Sequence, residues 1–290
     1  MFVLPIRALC LASLALLTAC SPLAPVNFFV PDDSYHLRAD QAYGSDERQR
    51  LDVFLPVGEL DRAPVALFFY GGSWRGGSKD NYTFVGEALA SRGIITVIAD
   101  YRVYPEVTYP DFLHDSAAAL AWVVEQRSDW QPQSGPLVVM GHSAGAYNAA
   151  MLALDPRWLE PHALSPADLD AWVSLAGPFE FLPIINPRVK PVFHHPDTPL
   201  DSQPIEHAGS HSPPALLMAA RPDRLVDPER NTQAMSEKLS AAGVAVDTHY
   251  FESRNHFTLV LALAHPFQHW DPVLDKTADF IHQLATPPDD

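Results

Sequence analysis

The sequence is poor in cysteine and in basic residues, and it has no apolar run long enough to cross a bilayer. Its 290 residues include 2 cysteines, at positions 10 and 20, so no framework of internal disulfides is expected. Lysine and arginine total 19 against 35 acidic residues, which gives a net charge of −16 at pH 7. Nucleic-acid binders neutralise phosphates with a basic surface, so this balance argues against a nucleic-acid partner.

The N-terminus has the layout of an export signal. Residues 1–7 carry one positive charge, and residues 8–19 form a short apolar run. The sequence that follows resembles a bacterial lipobox: Leu17-Thr18-Ala19-Cys20-Ser21. The resemblance implies a signal peptide over residues 1–19 and a diacylglycerol on the thiol of Cys20. We therefore expect a lipid-anchored protein of the cell envelope, on the outer membrane or the periplasmic face. The alternative is an ordinary secretory signal that ends near a cysteine.

The remaining chain divides into a short tether and one domain. Residues 20–33 are rich in proline and show no strand or helix pattern, so we interpret them as a lipidated tether. Over residues 34–290, apolar strand-like runs alternate with helical patterns, which predicts an α/β fold with a mostly parallel central sheet and helices on both faces. The predicted strands are 51–55, 65–70, 94–99, 137–141, 171–175, 215–219 and 246–251, and the predicted helices are 82–91, 112–127, 144–154, 229–241 and 273–284.

One internal segment breaks this alternation. Residues 178–214 hold nine prolines and no clear element, so we predict a lid-like insertion over the functional site. The segment also carries four histidines, at positions 194, 195, 207 and 211. Adjacent histidines rarely direct both rings at one ion, and Gly209 and Pro213 oppose a helix that would align the other two. No metal site is therefore expected. No cofactor is expected either, because phosphate loops and dinucleotide fingerprints are missing from the sequence.

Two glycine-rich motifs carry the chemistry. The first fits G-x-S-x-G and stands between a predicted strand and a predicted helix: Gly141-His142-Ser143-Ala144-Gly145. Such an elbow holds a serine in a tight turn, which predicts Ser143 as a nucleophile. The second ends an earlier predicted strand: Tyr70-Gly71-Gly72-Ser73-Trp74. By itself it would be an ordinary Gly-Gly turn, but beside Ser143 its backbone N–H groups would face the reacting carbonyl.

Together with Asp100-Tyr101-Arg102-Val103-Tyr104-Pro105-Glu106, these motifs resemble the hormone-sensitive-lipase and kynurenine-formamidase-like branch of bacterial esterases. The resemblance runs from about residue 43 to the C-terminus and implies the α/β-hydrolase fold. It also implies an oxyanion hole made by the N–H groups of Gly72, Ser73 and Ala144. The sequence departs from the family pattern in two places: Tyr70 stands where the family has histidine, and residues 178–214 have no alignable counterpart.

In this fold the acid follows the serine along the chain, and the histidine comes last. Asp223 lies just past the predicted strand 215–219, in a stretch that resembles the family's G-x-x-D-x-x-V with Ala220 in place of glycine. Asp227 is the alternative acid, although it precedes Pro228 and fits a helix N-cap.

For the base, His256 lies in a short loop after the last predicted strand. The alternatives are His249, which falls within that strand, and His265 and His269, which come later. Loop position and chain order favour His256.

These residues predict a serine carboxylic-ester hydrolase that works through Ser143, His256 and Asp223 and an acyl-enzyme. We expect short-chain acyl or small aryl esters as substrates, because the proline-rich insertion lacks the long amphipathic helix of a mobile lipase lid. An arylformamidase or amidase on the same triad is the first alternative. The second is a non-catalytic binding lipoprotein with the hydrolase fold. The sequence gives no indication of the oligomeric state.

Overall fold

The computed structural model describes residues 24–131 and 133–285, and these residues surround one eight-stranded sheet. The strands are β1 (Tyr35–Ala42), β2 (Arg50–Pro56), β3 (Val65–Phe69), β4 (Ile95–Ala99), β5 (Leu137–His142), β6 (Ala171–Leu175), β7 (Ala215–Ala220) and β8 (Val246–Phe251). Their order across the sheet is β1-β2-β4-β3-β5-β6-β7-β8. Pairing is antiparallel between β1 and β2 and between β2 and β4, and parallel elsewhere. The predicted mostly parallel α/β sheet is confirmed.

Helices connect the strands. They are α1 (Thr83–Ala90), α2 (Asp111–Gln126), α3 (Ala144–Leu154), α4 (Ala234–Ala241), α5 (His256–Leu261) and α6 (Val273–Gln283). A single π-helical turn, Glu229–Gln233, precedes α4. Every residue of β3 to β7 is buried, because parallel strands are covered on both faces.

Strand β1 lies at the edge of the sheet and was not predicted. Six of its eight residues are exposed, so it shows neither an apolar run nor a clean alternation. A strand in an antiparallel pair can face solvent, so its sequence need not be apolar.

The carboxyl ends of the parallel strands bring the predicted site residues to one edge. The turn Gly71–Trp74 follows β3, Ser143 follows β5, and Asp223 and His256 follow β7 and β8. Ligands of open parallel sheets bind at this edge.

Part of the predicted tether, residues 20–33, has regular structure. Residues Ala24–Phe29 form a 3-10 helix that lies against the domain. Val26 is buried, and the Asn27 side chain accepts a hydrogen bond from Phe84 N at 3.2 Å and donates one to the carbonyl of Asp80. The predicted signal peptide and Cys20 lie outside the described residues. Among the described residues, no helix is long and apolar enough to cross a membrane.

The insertion 178–214 is irregular, as expected, but it is packed into the domain. Phe179, Val192 and Phe193 are fully buried. Its regular structure is limited to two short 3-10 helices, Leu200–Ser202 and Pro204–His207.

Candidate active site

Ser143 lies at a sharp turn between β5 and α3. Its backbone has φ 55° and ψ −122°, in the left-handed half of the map that a side chain rarely adopts, and its N–H donates to the carbonyl of Leu175 at 2.9 Å. Gly145 permits the turn, because a Cβ there would lie 2.0 Å from the carbonyl oxygen of Phe69. The strained backbone holds the serine hydroxyl above the edge of the sheet.

His256 lies within hydrogen-bond distance of the serine. Its Nε2 is 2.8 Å from Ser143 Oγ, and the residue is the first of helix α5. Asn255 caps that helix, since its side chain accepts the N–H groups of Phe257 and Thr258. The cap and the burial of His256 fix the direction of the imidazole.

Asp223 completes a chain of three side chains. One carboxylate oxygen, Oδ2, is 2.7 Å from His256 Nδ1, and the other accepts the N–H groups of Leu225 and Val226. Burial by itself would raise the pKa of Asp223, but the bonds from His256 and the two N–H groups outweigh it, so the pKa is lowered. The carboxylate is therefore charged at neutral pH. It fixes the histidine tautomer with hydrogen on Nδ1, which leaves Nε2 to accept the serine proton.

The alternative acid and the other late histidines have different surroundings. Asp227 accepts the N–H groups of Glu229 and Arg230, as expected for a helix cap. His249 lies in β8, with Nε2 2.9 Å from the carboxylate of Asp247. His265 begins a separate 3-10 turn after α5.

The histidines of the insertion do not converge on one point. His194, His207 and His211 donate through Nε2 to the backbone carbonyls of Tyr109, Asp201 and Leu154. No group of three potential metal ligands occurs within residues 24–131 and 133–285.

The turn after β3 presents free backbone donors. Gly72, Ser73 and Trp74 all have positive φ, of 146°, 55° and 55°. Within the described chain, the N–H groups of Gly72, Ser73 and Ala144 have no hydrogen-bond acceptor, and Ser73 and Ala144 line the same cavity as Ser143. Free N–H groups beside a nucleophile are the arrangement that stabilises an oxyanion.

Tyr70 braces this turn from behind. Its hydroxyl donates to Asp100 Oδ1 at 2.6 Å and accepts from Arg48 Nη2 at 2.9 Å, while its carbonyl accepts from the Tyr101 hydroxyl at 2.7 Å. Burial raises the pKa of Asp100, although Tyr70, the backbone N–H of Lys79 and Arg48 oppose the rise. Tyr70 thus joins a buried polar network that holds the start of the turn.

Sequence reasoning missed two members of this network. Asp100 stands in the stretch that carried the family resemblance, so its motif was a usable signal. Arg48 precedes β2 and contacts Tyr70 across 22 positions of sequence, and no local pattern predicts that contact.

A cavity of about 480 Å³ opens in front of Ser143 and His256. One wall comes from the insertion and includes Phe181, Ile184 and Val189. Trp74 contributes an edge only, because it is 3% exposed and its Nε1 donates to Asn148 Oδ1 at 3.0 Å. The volume falls in the usual range for small-molecule sites.

The sequence model of the family described as BD-FAE matches residues 51–239, more than half of the chain. The isoprenylcysteine alpha-carbonyl methylesterase of Arabidopsis thaliana is 26% identical over 79% of this chain, which spans only 58% of that relative. The kynurenine formamidase of Danio rerio is 25% identical over 76% of this chain and 75% of its own length.

A solved structure gives the same fold. The esterase of Pyrobaculum calidifontis superposes with a TM-score of 0.74 at 21% identity, over 91% of this chain and 90% of that one. This match confirms the α/β-hydrolase fold.

Proposed function

The chain belongs to the BD-FAE family, and from this starting point we propose that it hydrolyses carboxylic esters, with Ser143 as nucleophile, His256 as general base and Asp223 as the supporting acid. The observation that carries the proposal is the chain of hydrogen bonds from Ser143 Oγ to His256 Nε2, at 2.8 Å, and from His256 Nδ1 to Asp223, at 2.7 Å. It ends beside free backbone N–H groups in a cavity of small-molecule size. The esterase names of the relatives support the same reaction class.

The first half of the reaction forms an acyl-enzyme. Ser143 Oγ attacks the ester carbonyl carbon while its proton passes to His256 Nε2, and the resulting imidazolium is stabilised by the charged Asp223. The negative charge on the carbonyl oxygen is stabilised by the N–H groups of Gly72, Ser73 and Ala144. When the carbon–oxygen bond to the alcohol breaks, the alcohol takes the proton from His256.

The second half returns the enzyme to its starting state. His256 takes a proton from a water molecule, whose oxygen attacks the acyl carbon on Ser143. The intermediate then releases the carboxylic acid, and His256 returns a proton to Ser143 Oγ. No step in this sequence requires a group other than the side chains, the backbone donors and water.

We place short acyl groups, from acetyl to butyryl, in the cavity. Its wall is built from a proline-rich segment with buried anchors at Phe179 and Phe193, which restricts opening for a long chain. A series of p-nitrophenyl esters from acetate to palmitate tests this placement. We expect activity to fall steeply beyond about eight carbons, with no activation by emulsified substrate. Faster hydrolysis of the palmitate than of the butyrate would contradict it.

A formamidase activity is the second candidate, favoured by the similarity to kynurenine formamidase. The triad attacks a formamide carbonyl as it attacks an ester, so geometry does not separate the two reactions. Paired assays with phenyl acetate and N-formylkynurenine at equal enzyme concentration distinguish them. A fluorophosphonate probe that fails to label the folded protein would contradict both and revive the non-catalytic binding protein.

We also propose that Cys20 carries a lipid that anchors the protein in the cell envelope. The support is the sequence Leu17-Thr18-Ala19-Cys20 alone. Cys20→Ser is expected to release the protein from the membrane fraction or leave it as an unprocessed precursor. A variant that is processed and partitions like the parent would contradict the anchor.

A further inference from the structure

His142, the residue before the nucleophile, contacts the loop that carries the base. The residue is buried, and its Nε2 lies 2.9 Å from the backbone carbonyl oxygen of His256. A carbonyl only accepts, so Nε2 carries the hydrogen and donates it. This bond joins the end of strand β5 to the first residue of helix α5, across 114 positions of sequence.

Another edge of the same ring adjoins the turn Gly71–Trp74 that follows β3. A Cβ built on Gly71 would lie 3.1 Å from His142 Nδ1 and 2.9 Å from Ser143 Cβ, so only glycine fits between them. Nδ1 is buried and has no hydrogen-bond partner among the described residues. The imidazole therefore fills the space between the turn at Gly71 and the ring of His256, whose centre is 5.0 Å away.

The charge of His142 suits this position. Burial, followed by repulsion from His256, lowers the pKa of His142 to about 3. The ring is thus neutral at neutral pH. A neutral ring does not oppose the positive charge that His256 gains when it accepts the serine proton.

We propose that His142 is a positioning residue, whose Nε2–H bond to the His256 carbonyl holds the base at its distance from Ser143. The inference rests on the proposed function, since it assigns His142 a part in the same reaction through His256. His142 is not among the residues that line the cavity in front of Ser143. A general base works within a narrow range of distances, so a small displacement of His256 lowers the rate of proton transfer.

Two substitutions of similar length separate the donor from the bulk of the ring. His142→Gln places an amide N–H donor near the position of Nε2, and His142→Met fills similar space without a donor. We expect kcat of His142→Gln to stay within about threefold of the parent and kcat of His142→Met to fall about tenfold, the effect of one neutral hydrogen bond. KM should change by less than about threefold in both, because the cavity wall is unchanged.

Thermal unfolding of each variant shows whether it folds. If His142→Met does not fold, His142→Asn replaces it, because the shorter amide reaches only the position of Nδ1. A second measurement is the proton NMR signal of His256 Nδ1–H, shared with Asp223. This signal should be retained in His142→Gln and shifted or broadened in the variant without the donor.

Equal kcat values for two folded variants, one with and one without the donor, would overturn the proposal. So would a loss confined to KM. The parent protein shows whether the proposed function itself fails. In that case the parent would hydrolyse no ester and no formamide, and a fluorophosphonate would not label it.

Discussion

The Nδ1 atom of His256 lies 2.7 Å from Oδ2 of Asp223. Four residues further along the chain, Asp227 accepts backbone N–H groups at the start of the next helical turn. Replacing each carboxylate by the amide of asparagine should therefore have different effects on activity.

Asp223→Asn is expected to lower kcat by about three to four orders of magnitude, because the amide favours the wrong histidine tautomer. Asp227→Asn is the matched control and should lose little, since asparagine caps a helix as well as aspartate does. Steady-state hydrolysis of p-nitrophenyl acetate measures both. The reverse ranking would move the acid to Asp227.

Ser143→Ala should abolish hydrolysis and fluorophosphonate labelling while the fold is retained. The geometry of the turn resides in the backbone and in the close approach of Gly145 to Phe69. The thermal midpoint should shift by less than ~4 °C, the effect of about 1 kcal/mol in a domain of this size. Residual turnover within tenfold of the parent would remove Ser143 from the mechanism.

Tyr70→Phe tests the polar network that holds the start of the turn Gly71–Trp74. The variant leaves Asp100 without one donor and Arg48 without one acceptor, so the free energy of unfolding should fall by about 1–3 kcal/mol. We also expect a lower kcat, because the turn that follows Tyr70 loses its support. Tyr147→Phe serves as the control, since it removes a buried hydroxyl that bonds Ser202 instead. Urea unfolding and kcat of both variants give the comparison, and an equal loss of kcat would contradict a specific role for Tyr70.

The buried ring of His142 predicts a dependence of stability on pH. Its folded-state pKa of about 3 lies below the value of about 6.5 for an exposed histidine. Below about pH 6.5, His142 is protonated in the unfolded chain but stays neutral in the folded protein. The free energy of unfolding therefore decreases as the pH falls from about 6.5 towards 3, by up to ~1.4 kcal/mol per pH unit.

The matched control is His142→Gln, which does not titrate. Between pH 7.5 and 4.5, the parent should lose roughly 2–3 kcal/mol more of its unfolding free energy than this variant loses. Urea unfolding at the two pH values measures the difference. Parallel losses would mean that His142 is protonated in the folded protein as readily as in the unfolded chain.

Two neighbouring isoleucines test the depth of the cavity. Both line it, but Ile184 is 4% exposed at its wall and Ile185 is 81% exposed at its rim. Ile184→Ala should shift the preferred acyl chain towards longer esters, whereas Ile185→Ala should leave the p-nitrophenyl ester profile unchanged. A shift in the second variant alone would place the acyl group at the rim.

The sequence predicted those features of the structure that depend on neighbouring residues in the chain. Strands β3 to β7 are buried and largely apolar in sequence, and this made them recognisable. The G-x-S-x-G pattern predicted an elbow at Ser143, and the structure has one. Asp223 and His256 were predicted from chain order and loop position, and in the structure His256 contacts Ser143 and Asp223 contacts His256. Their catalytic roles stay a prediction.

Other features depend on contacts between distant parts of the chain. Nothing near Arg48 indicates that it reaches Tyr70, and nothing near His142 indicates that it bonds the His256 carbonyl. The insertion was predicted as a lid from its prolines, whereas its attachment depends on where Phe179 and Phe193 find apolar neighbours. Such contacts become visible only once the sheet has been assembled.

The 3-10 helix Ala24–Phe29 limits how far the domain would stand from a membrane. Only residues 21–23 separate Cys20 from this helix, which Asn27 fastens to Phe84 and Asp80. Fully extended, the chain from residue 20 to residue 24 measures at most about 14 Å. A lipid on Cys20 would therefore hold the part of the domain around this helix within that distance of the membrane surface. A domain held in this way would meet molecules at the membrane surface and would not diffuse through the whole compartment.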